Sequence, residues 1–327
     1  VESQAAYHRF YNDQIETGWA PATPEMVTYE AAHVHARWMV DWIKNNRPKA
    51  RVLDVGCCDG LVGIPLLWAC HDVNYVGVDV NAAAIENFKK LLGEAPDSVR
   101  DTLPARFDLR VGTVVAQVGR DECFDVILAG EIVEHVPDPV KWLASLRDQL
   151  APDGVILITT PWGAFDEGHP PEKTLHGSPR DERGHLRAYQ PHALTLDLRA
   201  AGYAVREAGR ADAGHHGVAD ALVAVAAWSG TDLDRPVAVF VPGSLWGWNG
   251  SVVDREGIGA SEEMIIRMGE KLADRDYDCF LKCLAAEEVY RGVGYFPLAA
   301  VRRIDPGAKV IVSRSPGMTA LPFIAIE

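Results

Sequence analysis

The sequence predicts an α/β protein with a mostly parallel sheet, in two parts. Three observations predict it. The first is residues 51–63, RVLDVGCCDGLVG, where a short apolar run (Val52, Leu53, Val55) meets two glycines, Gly56 and Gly60, before an amphipathic run to Ala69. That pattern reads as buried strand, tight loop, helix. The second is the return of apolar runs at 75–80, 107–111, 124–129 and 155–159 with helical stretches between them, as alternating βα units require. The third is a change of pattern after residues 229–235 (SGTDLDR), where a new strand and glycine loop begin.

In chain order, residues 1–47 read as helical, with Tyr7, Phe10, Tyr11 and Trp19 on a face that either packs on the domain or covers a ligand. The helix over 31–45, with His33, Trp38 and Trp42, stops at Pro48, which cannot continue it. After the first strand and helix, residues 75–80 (YVGVDV) form a strand ending in Asp79 and Val80. Residues 81–92 form a helix that Asn81 caps. The third strand, 107–111, ends in Gly112 and Thr113. The fourth, 124–129, is continuously apolar, as a buried parallel strand is, and opens into Gly130, Glu131 and EHVPDP. A helix over 140–150, a turn at Pro152-Asp153-Gly154 and a fifth strand, 155–159, follow.

Residues 161–191 are rich in Gly, Pro, His and charge, and include Trp162, His169, His176 and His185. A long segment after a strand's carboxyl end reads as the cover of a ligand site. A helix over 193–201 and strands 203–207 and 221–228, a closing antiparallel hairpin, complete this part. His215 and His216, in the loop between those strands, read as solvated. Beyond the boundary, 237–241 is a strand, 257–263 (GIGASEE) opens a helix to about Lys271, and 278–284 and 309–312 are strands.

The first loop carries chemistry. It lacks both the G-x-G-x-x-G of dinucleotide folds and the lysine of a P-loop, and holds Asp54 and Asp59 instead. Carboxylates there repel a pyrophosphate and suit a ligand with an amino group and a positive centre. Asp79, at the next strand end, can accept both hydroxyls of a ribose. A cationic amino acid joined to a nucleoside fits both sites, and S-adenosylmethionine is that molecule. The plainer reading is an ordinary βαβ unit with a glycine turn.

VLDVGCCDG, YVGVDVN, FDVILAGEIVEHVPDP and PDGVILITTPWG together resemble the class I S-adenosylmethionine-dependent methyltransferases, nearest the group that includes ubiquinone-biosynthesis O-methyltransferases. The resemblance covers roughly residues 37–228. It implies a Rossmann-like seven-stranded sheet over 1–230, with residues 1–47 as a helical lid, and S-adenosylmethionine as cofactor. It also implies cofactor contacts from Asp54, Gly56, Cys57, Asp59, Gly60, Asp79, Val80, Gly112, Thr113, Gly130 and Glu131. Cys58 stands where the family usually carries glycine, a position strained for cysteine at positive φ. Residues 236–327 resemble the opening of a GT-B glycosyltransferase of the retaining, family-4-like kind, a partial Rossmann-like α/β subdomain, through SLWGWNG and GIGASEE. The sugar-nucleotide half is missing. This implies either a C-terminal continuation, a glycosyltransferase partner or a non-catalytic appendage.

The formal net charge of −14, spread along 327 residues, argues against a nucleic-acid partner. The six cysteines (Cys57, Cys58, Cys70, Cys123, Cys279 and Cys283) form no zinc-type pairs and fit reduced thiols. With no signal peptide and no bilayer-length apolar run, a cytoplasmic location is expected.

Methyl transfer from a sulfonium needs orientation and, for a hydroxyl acceptor, a base. Glu131, Glu134 and His135 are spaced i, i+3, i+4, so one helical face can join them, and His185 can close the cluster from the covering segment. Three readings stand: a divalent cation such as Mg²⁺ or Mn²⁺ on these four, His135 or His185 as base beside Glu134, or a packed helix start. The acceptor expected is a sugar or glycan hydroxyl, on the glycosyltransferase resemblance. Another small molecule is the alternative. So is an RNA 2′-hydroxyl, since EIVEH with a later histidine resembles the metal-using RNA methyltransferases. A non-catalytic cofactor-binding or scaffold module is the third class.

Overall fold

Five parallel strands carry the site. The computed structural model describes residues 21–29, 32, 34–95, 103–119, 121–161, 186–187, 189–211, 221–228, 237–240, 266–267, 269–271, 273, 278–282, 288–291 and 293–296. Two compact units divide the chain, residues 1–189 with 211–223, and residues 190–210 with 224–327.

The first unit runs α1 (Val34–Asn46), β1 (Arg51–Val55), α2 (Gly63–Ala69), β2 (Asn74–Asp79), α3 (Ala82–Leu92), β3 (Phe107–Val111), α4 (Val114–Gln117), β4 (Phe124–Gly130), α5 (Pro139–Arg147) and β5 (Leu150–Pro161). The strands lie in the order β3-β2-β1-β4-β5, each parallel to its neighbours. The chain starts at β1, steps outward through β2 and β3, then returns to the other side of β1 for β4 and β5. Strand order reverses there, and a parallel sheet binds ligands outside its carboxyl ends at such a reversal.

The apolar runs explain the burial. Val52, Leu53, Val126, Ile127, Leu128, Ile156 and Leu157 are all buried, with Met39, Val40 and Ile43 of α1, Ile64, Leu66 and Leu67 of α2, and Ile85 and Phe88 of α3. α3 starts where expected, because Asn81 accepts from the N–H groups of Ala83 (3.0 Å) and Ala84 (3.1 Å). Asp138 does the same for α5 through Lys141 (3.1 Å). α5 ends at Arg147, short of the expected 150, and the expected turn at 152–154 lies inside β5. Its register shows why. Phe124 pairs with Leu150 and Val126 with Val155, so residues 151–154 bulge out of the ladder. A Cβ on Gly154 would come 2.8 Å from the Phe124 carbonyl oxygen, so the bulge requires glycine there.

The second unit holds α6 (Pro191–Ala200), β6 (Tyr203–Arg210), β7 (Ala221–Trp228) from residue 224, β8 (Val237–Phe240), β9 (Asp278–Lys282), β10 (Glu288–Tyr290) and β11 (Val293–Phe296). Its strand order is β7-β6-β10-β11-β9-β8. β10 is antiparallel to β6 and β11, whereas β11, β9 and β8 are mutually parallel. The units do not divide at 229–235: β6 pairs with β10 through Ala208 and Val289, which groups residues 190–210 with the C-terminal part. β10 and β11, of three and four residues, are too short to show a period. Mixed α/β architecture with parallel and antiparallel strands is therefore observed.

Several expectations lie outside the described residues: the aromatics of 1–20, His33, Trp162, His169, His176, His185, the 212–220 loop with His215 and His216, Cys283, SLWGWNG, GIGASEE and the strand at 309–312.

Candidate active site

The loop after β1 is built by its neighbours. Gly56, at φ 72°, and Gly60, at φ 90°, take backbone conformations open to glycine. Cys58 between them stands at φ 47°, the strained position its sequence context suggested. Three acids pin the loop. Asp54, at the end of β1, is buried and accepts from the Tyr75 hydroxyl at 2.6 Å; burial pushes its carboxyl up to about 7. Asp79, at the end of β2, accepts from the Cys58 N–H (2.8 Å) with one oxygen and the Asn81 N–H (2.7 Å) with the other. Burial raises the Asp79 carboxyl, and these two N–H groups oppose that shift.

Asp59 is buried and accepts from the Ala22 N–H at 2.6 Å. Asn87 donates to the Ala22 carbonyl (3.1 Å) and reaches the same Asp59 oxygen at 3.5 Å. Expected at the ligand, Asp59 is seen tying residue 22 to the loop. Burial pushes the Cys57 thiol well up, which makes it a packing group rather than a nucleophile.

Val80 and Val111, at the carboxyl ends of β2 and β3, are 40% and 43% exposed. Gly112, at φ 143°, donates to the Asp79 carbonyl at 2.8 Å, and Thr113 precedes α4. The aligned strand ends thus present a carboxylate beside apolar surface.

The turn after β4 differs. Gly130 ends the strand, and Glu131, at φ 52°, donates its N–H to the Thr159 carbonyl (2.9 Å). Ile132 leaves the helical region, with φ −131° and ψ −34°, and residues 133–135 make one 3₁₀ turn. Glu131, Glu134 and His135 therefore do not share the helical face their spacing predicted. Among the described residues no three His, Cys, Asp or Glu side chains are arranged to hold a metal ion.

Glu134 is fully buried. One oxygen accepts from the Thr160 hydroxyl at 2.9 Å; the other has no hydrogen-bond donor among the described residues and stands 3.9 Å from His135 Nε2. Glu131 Oε1 is likewise without a donor there. Burial raises both carboxyls, and the Glu131 charge adds to the rise at Glu134.

Sequence reasoning missed the groups that hold these residues: Tyr75, Ala22, Asn87, Thr160, Leu186 and Arg187. The Leu186 N–H donates to the Glu134 carbonyl (2.8 Å). Arg187 donates to the carbonyls of Val133 (3.1 Å), Pro137 (3.0 Å) and Val136. None of these contacts has a local sequence signature.

The strand-end residues fit S-adenosylmethionine on two observations. Each Asp79 oxygen accepts one bond and keeps lone-pair capacity for a diol. Val80 and Val111 leave apolar surface beside it for an aromatic ring.

Comparison with known proteins agrees. The family model described as "Methyltransferase domain" matches residues 27–208. A ubiquinone biosynthesis O-methyltransferase of Rickettsia typhi is 24% identical over 47% of this chain and 56% of its own length. That of Dinoroseobacter shibae is 36% identical over 34% of this chain and 40% of its own. The chain thus spans about half the length of these relatives, or less. Among solved structures, the CcbJ methyltransferase of Streptomyces caelestis aligns with 65% of this chain and 100% of its own, at TM-score 0.47 and 16% identity. The glycopeptide N-methyltransferase MtfA complexed with S-adenosyl-L-methionine covers 59% of this chain and 87% of its own, at TM-score 0.44 and 17% identity. The family model's match ends at residue 208 and lends no support to a glycosyltransferase assignment for residues 236–327. With more than half of its length matched by the family model, the chain belongs to the methyltransferase-domain family, of the S-adenosylmethionine-dependent class.

Proposed function

We propose that the chain catalyses transfer of a methyl group from S-adenosylmethionine to a hydroxyl of a small acceptor. The observation that carries this reading is Asp79, whose two oxygens are aimed by the Cys58 and Asn81 N–H groups at the end of β2. Asp79 would hold the ribose diol, Val80 and Val111 the adenine face, with Gly112 and Thr113 beside it. The backbone of Gly56 and Gly60 would admit the amino-acid end. When bound, the cofactor supplies an electrophilic methyl group.

The protein's own task is then to place the hydroxyl and take its proton. His135 is the proposed base, an imidazole on the turn after β4 whose Nε2 stands 3.9 Å from the Glu134 carboxyl. His185 is the second candidate, on sequence alone. The O-methyltransferase names of the curated relatives support a hydroxyl acceptor. A sugar or glycan hydroxyl is the class proposed first, on the sequence of residues 236–327.

The test is mass spectrometry of the purified chain incubated with S-adenosylmethionine and a panel of sugars, catechols and amines, with and without chelator. A gain of one methyl on a hydroxyl acceptor, retained in chelator, is expected. Methylation of amines alone would overturn the hydroxyl reading. Activity lost in chelator and restored by Mg²⁺ or Mn²⁺ would replace the base by a metal.

A further inference from the structure

The turn after β4 has a backbone problem of its own. Residues 133–135 make a single 3₁₀ turn, whose own bonds run from the His135 N–H to the Ile132 carbonyl (3.0 Å) and from the Val136 N–H to the Val133 carbonyl (3.4 Å). These leave the carbonyls of Glu134, Val136 and Pro137 to be met from elsewhere. Pro137 and Pro139 have no N–H, so they offer nothing to a neighbouring backbone. Val133 and Val136 are buried, and a carbonyl on buried backbone needs a donor.

One side chain, more than fifty residues further on, supplies it. The Arg187 Nη1 donates to the Val133 carbonyl at 3.1 Å and to the Val136 carbonyl, and Nη2 donates to the Pro137 carbonyl at 3.0 Å. The adjacent Leu186 N–H donates to the Glu134 carbonyl at 2.8 Å. The carbonyls of residues 133, 134, 136 and 137 are therefore all held by two consecutive residues. Those of Val133 and Val136 flank Glu134 and His135. A guanidinium carries its donors on separate nitrogens of a rigid planar fork, here Nη1 and Nη2, whereas the three donors of an ammonium all leave one nitrogen and cannot keep that spread.

We infer that Arg187 is a positioning residue: through the carbonyls of Val133, Val136 and Pro137 it fixes the turn that presents Glu134 and His135. The inference rests on the proposed function only in taking that turn to carry the reacting groups. Its test can fail separately.

The protein is labelled with ¹³Cε1-histidine, and spectra of wild type, Arg187→Lys and Arg187→Ala are recorded at one pH, free and with S-adenosylhomocysteine. The His135 signal is identified by its loss in His135→Gln. The expected result is a displaced or broadened His135 signal in both variants, with the other histidine signals in place. Addition of millimolar guanidinium to Arg187→Ala should move the His135 signal back toward its wild-type position. The S-adenosylhomocysteine dissociation constant should stay within about twofold of wild type, since the loop after β1 shares no hydrogen bond with Arg187 among those described. Should Arg187→Ala not fold, Arg187→Lys decides alone.

An unmoved His135 signal in folded Arg187→Lys overturns the inference. So does displacement of all histidine signals together with a weakened dissociation constant, which would mean general loosening. Failure of the wild type to bind S-adenosylhomocysteine would defeat the proposed function, yet leave the histidine spectra to judge Arg187.

Discussion

The two halves of the strand edge are built on different plans. After β1 and β2, the acids at the ligand edge are already engaged: Asp54 by Tyr75, Asp59 by Ala22 and Asn87, Asp79 by the N–H groups of Cys58 and Asn81. After β4, one carboxyl oxygen each of Glu131 and Glu134 is buried with no donor among the described residues, and the turn that carries them is held from a distance by Leu186 and Arg187. The difference teaches a division of labour. On the proposed function, the donors around β1 and β2, from Ala22, Cys58, Tyr75, Asn81 and Asn87, would pre-build the cofactor side at little cost when ligand arrives. The proposed reaction side leaves acceptor capacity buried, which costs stability and suits chemistry completed by a bound hydroxyl.

The largest expected effect breaks the reaction side alone. With the acceptor found by the panel, His135→Ala should lower kcat by about 10²–10⁴-fold, the usual scale for a lost proton acceptor. Cofactor affinity, measured by calorimetry, should hold. Equal loss of both would mean the halves are one structure, and unchanged kcat would remove His135 from the chemistry.

The second effect sharpens the cofactor side through pH. The Asp54 carboxyl is raised to about 7 by burial, above the unfolded value of about 3.9. The folded state therefore holds the proton more tightly, and this contribution to stability is present at low pH and lost as pH rises from about 4 to about 7. Asp54→Asn cannot lose that proton. Its stability relative to wild type, from urea unfolding at pH 5 and pH 8, should improve by about 3 kcal/mol at the higher pH, at about 1.4 kcal/mol per pH unit up to the folded value. A constant difference would contradict it.

A third substitution asks how much the loop's shape matters. Gly60→Ala puts a Cβ 2.7 Å from the Phe88 ring at φ 90°. A loss of about 2–3 kcal/mol in stability is expected from strain plus overpacking, read by urea unfolding. A neutral result would mean that the loop relaxes freely.

Much of this was legible in the sequence, for physical reasons. A cap needs only local chain, so Asn81 could be placed from its neighbours. Asp79 could be placed because a strand's end fixes where its last side chain goes. The strain at Cys58 followed from a cysteine standing in a glycine position. Arg187 was not legible, because it binds carbonyls, which every residue owns. The Ala22 to Asp59 bond is hidden the same way, being a backbone donor thirty-seven residues from its acceptor. The expected helical face of Glu131, Glu134 and His135 failed because Glu131 takes positive φ, and i, i+4 spacing says nothing of where a helix begins.

The smallest effect lies away from both halves and controls for them. Glu122 accepts from Arg110 (2.8 Å) and Arg51 (2.8 Å), and the Arg110 hydrogen bond holds its carboxyl down to about 2. Its contribution is present above the unfolded value of about 4.3 and lost as pH falls toward about 2. Glu122→Gln should cost about 1 kcal/mol at pH 7 after solvent screening, with cofactor affinity unchanged. A variant as stable as wild type at pH 7 would show that the ion pairs contribute nothing.

The most direct measurement is a calorimetric titration of S-adenosylmethionine into wild type, Asp79→Asn and Asp79→Ala. Wild type should bind, and Asp79→Ala should bind about 1–3 kcal/mol more weakly, the scale of lost charged hydrogen bonds, which is about 5–150-fold in the dissociation constant. Asp79→Asn, which keeps one acceptor oxygen, should fall between them. Binding by a folded Asp79→Ala as tight as wild type, or no binding by wild type, would contradict a cofactor site organised on Asp79.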